Sequence, residues 1–201
     1  MENNDFLTLH CLTMKQLCPP DAVETIVGVP AAEAEAALAR HIADGIVKEA
    51  KGRFVILPAG RERLDALYPE VFADVRAAGR LGAAYERFEE INRDLKALIT
   101  EWQTVLIDGK ALPNDHSDEA YDRKVIDRLN DFHDGAGSVL NALAAEVPRL
   151  ARYTERLGAA LDKVDTGETD YVSGVRVDSY HTVWFELHED LIRILGTTRD
   201  E

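Results

Sequence analysis

DGIVKEAKGRFVILPAGRERLDAL, residues 44–67, decides the fold of the first third of this 201-residue chain. Ile46, Val47, Phe54 and Ile56 are strand-forming apolar positions, and they flank the pair Lys51-Gly52. Glycine after a polar residue between two short apolar runs signals a tight hairpin turn. The reading is therefore a two-stranded hairpin, Ile46–Ala50 with Arg53–Leu57, followed by a helix that begins near Gly60.

Working back toward the start of the chain, Phe6–Leu17 reads as a first helix and Pro20–Val27 as a second. Gly28-Val29 makes a turn, and Pro30–Asp44 forms a third helix with proline at its first position. Three helices, a hairpin and a fourth helix make a winged helix-turn-helix, expected over residues 1–73. In the third helix Ala34, Ala37, Leu38, His41 and Ile42 recur at three- and four-residue spacing and mark the inward side. Its outer side offers Glu33, Glu35 and Asp44 against the single cation Arg40. A DNA-reading helix would carry Arg, Lys, Asn or Gln there. The hairpin is the more basic element: Lys48, Lys51 and Arg53 cluster at it, and Arg61 and Arg63 follow. These six cations, Arg40 included, are the candidate DNA contacts. The alternative is that they are solvated ends of a hairpin and a helix.

Charge weighs against DNA. The chain carries 23 Lys and Arg against 37 Asp and Glu, a net charge of −14. Residues 1–75 alone hold 7 basic and 12 acidic side chains, so the acidity is not confined to the rest of the chain. Nucleic-acid binding draws on phosphate neutralisation by Lys and Arg. No run of eighteen apolar residues predicts a membrane span, and MENNDF lacks the basic region and apolar core of a signal peptide. The two cysteines, Cys11 and Cys18, are expected to be reduced, with at least one of them packed, in a cytoplasmic protein.

Pro69 and the Gly79/Gly82 neighbourhood mark a change of segment, and residues 74–201 read as a helical domain shaped like a four-helix bundle. Leu81, Tyr85, Phe88, Ile91, Leu95, Leu98, Trp102 and Val105 form one apolar stripe on a helix expected to reach Ile107, with Gly109 and Pro113 ending it. Ser117 or Asp118 caps a second helix, a third follows Pro148, and a fourth spans roughly Val177–Leu195 with Gly196 closing it. Such a bundle can hold a pocket that is apolar with a few convergent polar groups. Tyr85, Trp102, Tyr180 and Trp184 are the candidate apolar lining, with His181, His188 or Arg152 to orient a carboxylate or phosphate and His116 a further ligand-binding candidate. The competing reading makes these aromatics core and these histidines solvated or bonded to neighbouring carboxylates. No metal is expected, because Glu186 precedes His188 by two residues rather than three and points elsewhere on the helix. No glycine-rich phosphate loop or nucleophile elbow is present, so neither catalytic residues nor a cofactor is expected.

The run 44–67 resembles the wing and following helix of MarR-like bacterial regulators, in which a strand runs into a Leu-Thr-Pro-x-Gly-Arg type of sequence. Here it reads Leu57-Pro58-Ala59-Gly60-Arg61. In that family the third helix reads DNA, and Glu33, Glu35 and Asp44 depart from that pattern. YERFEEINRDL (85–95), Trp102-Gln103, PNDHSDEAYD (113–122), RLARYTERL (149–157) and VDSYHTVWFELHEDL (177–191) are similar to a helical region of actinobacterial proteins related to pyruvate, phosphate dikinase. This sequence lacks the phosphohistidine motif and the nucleotide-grasp domain of those enzymes, so the resemblance implies an accessory or regulatory module. Two functions are therefore expected to compete. One is a non-enzymatic winged-helix transcriptional regulator, a homodimer with DNA and a small-molecule effector as partners. The other is a protein-interaction module accompanying a PEP-utilising phosphotransfer enzyme, without DNA binding.

Overall fold

The structure, a computed structural model, describes residues 2–15, 18–107 and 109–198. The chain is mainly helical, with ten α-helices and two two-stranded antiparallel sheets among the described residues. It divides into two compact units: Met1–Arg80 together with Glu186–Glu201, and Leu81–Phe185. The division expected from sequence, at 73/74, puts all of the later residues in the second domain; the structure groups Glu186–Glu201 with the first unit. No helix of the described residues is long and apolar enough to cross a membrane.

The first unit opens with α1 (Asn4–Met14), whose N-cap Asn3 accepts a hydrogen bond from the Phe6 amide at 2.9 Å. The expected helix runs on to Leu17, and residues 16 and 17 lie outside the described residues. Helix α2 (Pro20–Val27) ends on Gly28, whose left-handed φ of 77° closes it. Helix α3 (Ala31–Ala43) buries Ala34, Ala37, Leu38 and His41. Ile42, expected inward, is 39% exposed, because the buried stripe ends one residue before it.

Strands β1 (Val47–Ala50) and β2 (Arg53–Ile56) pair in the register Val47↔Ile56 to Ala50↔Arg53. Lys51 and Gly52 both have positive φ, 54° and 73°. That combination is the type I′ turn, whose twist matches a two-residue hairpin. Cys18 adds a bridge on the far edge of β2, its amide donating to the Phe54 carbonyl (3.1 Å) and its carbonyl accepting from the Phe54 amide (2.9 Å).

Helix α4 (Pro58–Val71) runs through Pro69, where sequence predicts a change of segment, and α5 (Ala73–Ala78) follows. Gly60 explains the LPAGR run physically. A Cβ there would stand 2.5 Å from the Ile46 carbonyl oxygen and 2.8 Å from a side-chain carbon of Ile56. The start of α4 lies against the hairpin closely enough that only glycine fits. Gly60→Ala is expected to destabilise the unit by about 1–3 kcal/mol through overpacking, read as a lower urea midpoint with an unchanged slope.

The second unit is built on α6 (Arg80–Gln103), α7 (Glu119–Glu146), a 3₁₀ turn at Pro148–Leu150, α8 (Ala151–Asp165) and the short α9 (Asp170–Ser173). Leu81, Phe88, Leu95 and Trp102 of α6, Leu129 and Leu143 of α7, and Tyr153 and Leu157 of α8 supply its core. The structure corrects the end of α6. Instead of a helix to Ile107, residues Thr104–Ile107 form β3 and pair with β4 (Lys110–Pro113). Thr104, Val105 and Ile107 are β-branched and favour a strand. The last helix, α10 (Tyr180–Leu195), places its first residues in the second unit and those from Glu186 onward in the first.

Candidate functional site

The hairpin of the first unit sorts its charges by strand alternation. Val47 and Ile56 form a buried cross-strand pair on the inward face. Side chains alternate along each strand, so Lys48 and Arg53 fall together on the opposite, outward face as diagonal neighbours. Glu49 belongs to the other face, and Lys51 occupies the tip. All three cations are exposed. The expected clustering of Lys48, Lys51 and Arg53 is thus a geometric fact of the register.

The other expected cations are distributed differently. Arg40 on α3 is held by Asp5 of α1, with Nε and Nη2 at 3.1 and 2.8 Å from the same carboxylate oxygen. Arg63 on α4 donates to Asp44 at 3.0 Å, and Arg61 is exposed one turn into that helix. Both ion pairs are about half exposed, so each is worth at most about 1 kcal/mol and can exchange for a stronger anion. The outer face of α3 keeps its acidic character: Glu33 and Glu35 are exposed, and Glu33 accepts from the Asn4 side chain of α1.

In the second unit the expected aromatic residues form packed core. Trp184 stacks on Phe88 at 4.8 Å, meets Phe132 edge-on at 5.3 Å, and donates from Nε1 to Asn92 at 3.0 Å. Tyr180 is fully buried and its hydroxyl lies 3.2 Å from His133 Nδ1; burial raises the pKa of that hydroxyl. Tyr85 is partly exposed and stacks on Phe88, and Arg152 is half-buried on α8. Trp102 is buried beneath His116, with ring centroids 4.4 Å apart. Of the expected histidines, His181 falls in the second unit and the buried His188 in the first.

His116 belongs to a constructed loop. Its backbone has φ 58°, in the left-handed region that few residues other than glycine adopt. Its Nδ1 stands 2.9 Å from the buried Asp122 carboxylate, and its amide donates to Asn114 at 3.0 Å. Asn114 in turn donates to the Trp102 carbonyl and to Asp122. Asp118 caps α7 through bonds from the Ala120 and Tyr121 amides, both 3.0 Å. The loop is thereby fixed to the ends of α6 and α7, with the imidazole edge exposed.

Sequence reading missed three polar groups inside the first unit. His10 is fully buried between Tyr68, whose hydroxyl lies 2.5 Å from Nδ1, and Asp190, 3.1 Å from Nε2. The Asp190 contact is close but not aligned as a hydrogen bond. Lys15 pairs with the buried Glu186 at 2.6 Å. Arg76 donates to the Ile194 and Arg193 carbonyls (2.6 and 3.1 Å), meeting the open carbonyls at the end of α10. One signal was readable: His10 stands on an otherwise apolar helix face, where a polar residue needs a buried partner. In the second unit Arg156 was also missed, buried over Tyr153 and paired with Asp178 at 3.0 Å.

Two imidazoles make stability depend on pH. Burial lowers His41 against the opposing pull of the Asp5 carbonyl and carboxylate, and burial lowers His181. Their unfolded value is 6.5, so as pH falls the unfolded chain binds these protons first. This contribution is intact above the unfolded value and is lost as pH falls through the lower folded values. Urea midpoints at about pH 5.5 are expected to lie below those at about pH 7.5, and His181→Gln is expected to flatten that difference. An unchanged pH difference in the variant would contradict the assignment.

Compared with known proteins, the chain matches no family model, no curated protein and no solved structure.

Proposed function

We propose that residues 1–73 form a winged helix-turn-helix domain and that the chain is a DNA-binding transcriptional regulator, gripping the phosphate backbone with its wing. The single observation that carries this reading is the outward face of the β1–β2 hairpin, where Lys48 and Arg53 lie side by side beneath Lys51. The element order of helices α1 to α3, hairpin and α4, with the Cys18 bridge on β2, supports the same reading. So does the resemblance of residues 44–67 to MarR-like regulators. Because α3 presents Glu33 and Glu35, DNA contact is assigned to the wing and to Arg61, and sequence readout by α3 has little support. The second unit is the candidate dimerisation or effector-sensing part. In a dimer the two wings must stand about 34 Å apart, one turn of DNA.

Neutralising the wing tests this. Lys51→Gln with Arg53→Gln is expected to weaken DNA binding at least tenfold at moderate salt. The slope of log affinity against log salt should become shallower by about 0.9 for each phosphate that the variant no longer neutralises. Unchanged affinity and slope would remove the wing from DNA.

A second reading is favoured by two observations: the acidic outer face of α3 and the apolar β3–β4 hairpin, where Leu106 is 78% exposed and Ile107 and Leu112 are also exposed. Both suit a protein partner. In that reading the chain is a regulatory module accompanying a phosphotransfer enzyme, consistent with its resemblance to the dikinase-related helical region.

A further inference from the structure

We propose that Cys11 and Cys18 form a reversible dithiol–disulfide couple within one chain. They are the only two cysteines of the sequence, and their sulfurs stand 3.7 Å apart, both completely buried. A disulfide needs about 2.05 Å between sulfurs, so the pair must close by about 1.7 Å. The contacts from Cys11 to the Ala22 carbonyl and from Cys18 to the Pro19 carbonyl are long, 3.7 and 3.4 Å, and a thiol is a weak donor, so they resist that closure little. Buried thiols usually serve as small apolar filler and are inert. This pair differs in that each thiol is the other's neighbour, so oxidation of one has a resolving partner in place.

The backbone orders the steps. Cys11 sits within α1, fixed by helical hydrogen bonds. Cys18 lies outside any helix, held by the isolated bridge to Phe54. Opening that bridge brings the Cys18 sulfur to solvent at a free energy below that of global unfolding. The oxidant required is a low-molecular-weight disulfide. The Cys18 thiolate attacks one of its sulfurs, forming a mixed disulfide and releasing one small thiolate. The Cys11 thiolate then attacks the Cys18 sulfur, the new intramolecular bond forms, and the second small thiolate leaves. The two protons given up by the protein are taken up by the two leaving thiolates. Two protein thiols are oxidised and one small disulfide is reduced to two thiols. The product links α1 to the segment paired with β2, which opposes further opening of the bridge. This inference is independent of whether the winged unit binds DNA.

The test treats the full-length folded chain with glutathione disulfide. After denaturation, titratable thiols are expected to fall from two per chain to none. The intact mass should be lower by two hydrogens with no glutathione retained, and reductant should reverse both changes. In mixtures of reduced and oxidised glutathione the wild type should become half-oxidised while reduced glutathione is still present, because the second step is intramolecular. Cys11→Ser, which lacks the resolving thiol, should retain one glutathione on Cys18. Two thiols surviving in the wild type, glutathione retained on it, or disulfide-linked dimers would each overturn the proposal.

Discussion

Asp190→Ala is expected to lower the unfolding free energy by about 1–3 kcal/mol, the range for leaving a buried polar group without its partner. At about 2–4 °C per kcal/mol for a chain of this length, the melting temperature should fall by about 5 °C. The reason lies in the surroundings of His10. Its imidazole is completely buried in the first unit, and the alanine variant would leave Nε2 facing neither solvent nor a carboxylate. Asp190→Asn retains the shape and polarity of the side chain beside His10 and should lose less. Asp5→Ala makes the contrast, because its partner Arg40 is more than half exposed and the change should stay within about 1 kcal/mol. Urea unfolding of the three variants decides it: equal losses at positions 5 and 190 would contradict the assigned burial.

Trp184→Ala is the second large expectation, a loss of about 3–5 kcal/mol in the second unit. The substitution removes the stack on Phe88 and the edge contact with Phe132, and it strips the Asn92 carbonyl oxygen of its donor. Trp184→Phe separates these effects: it keeps most of the packing but leaves Asn92 unmet, for a smaller loss of about 1–3 kcal/mol. The outcome bears on function as well as stability. A tryptophan lining an effector pocket would, when replaced, change ligand response more than stability. A core tryptophan does the reverse. A Trp184→Ala protein as stable as the wild type would return this position to the candidate pocket.

The sequence was most readable where backbone chemistry is local. Lys51-Gly52 announced a tight hairpin turn, Gly28 the end of a helix, and Ser117 or Asp118 an N-cap; the structure has a type I′ turn, a helix closed on Gly28 and a cap at Asp118. It was less readable where two local signals compete. The apolar spacing of α6 runs smoothly through Val105, and helical periodicity concealed the strand propensity of Thr104–Ile107. Yet Asp108-Gly109, between two short apolar runs, is itself a hairpin signal. Long-range partnership was the least readable. The stripe of α10 records that Leu187 and Leu191 are buried, but periodicity carries no information about which helix covers them. The ties from Lys15, Arg76 and His10 to residues 186–194 depend on that missing information. The same limit applies to the candidate pocket, since core and lining aromatics have the same spacing.

An acidic chain that grips DNA must do so with a small basic surface, so few phosphates are neutralised and its binding should be weak, with a shallow dependence on salt. The most direct test is capture of genomic DNA fragments, including the chain's own upstream region, by the purified protein at two salt concentrations. Capture of DNA at low salt that weakens at the higher salt, and disappears when Lys51 and Arg53 are neutralised, is the result expected of a winged-helix regulator. Recovery of no fragment above background at either salt would contradict it.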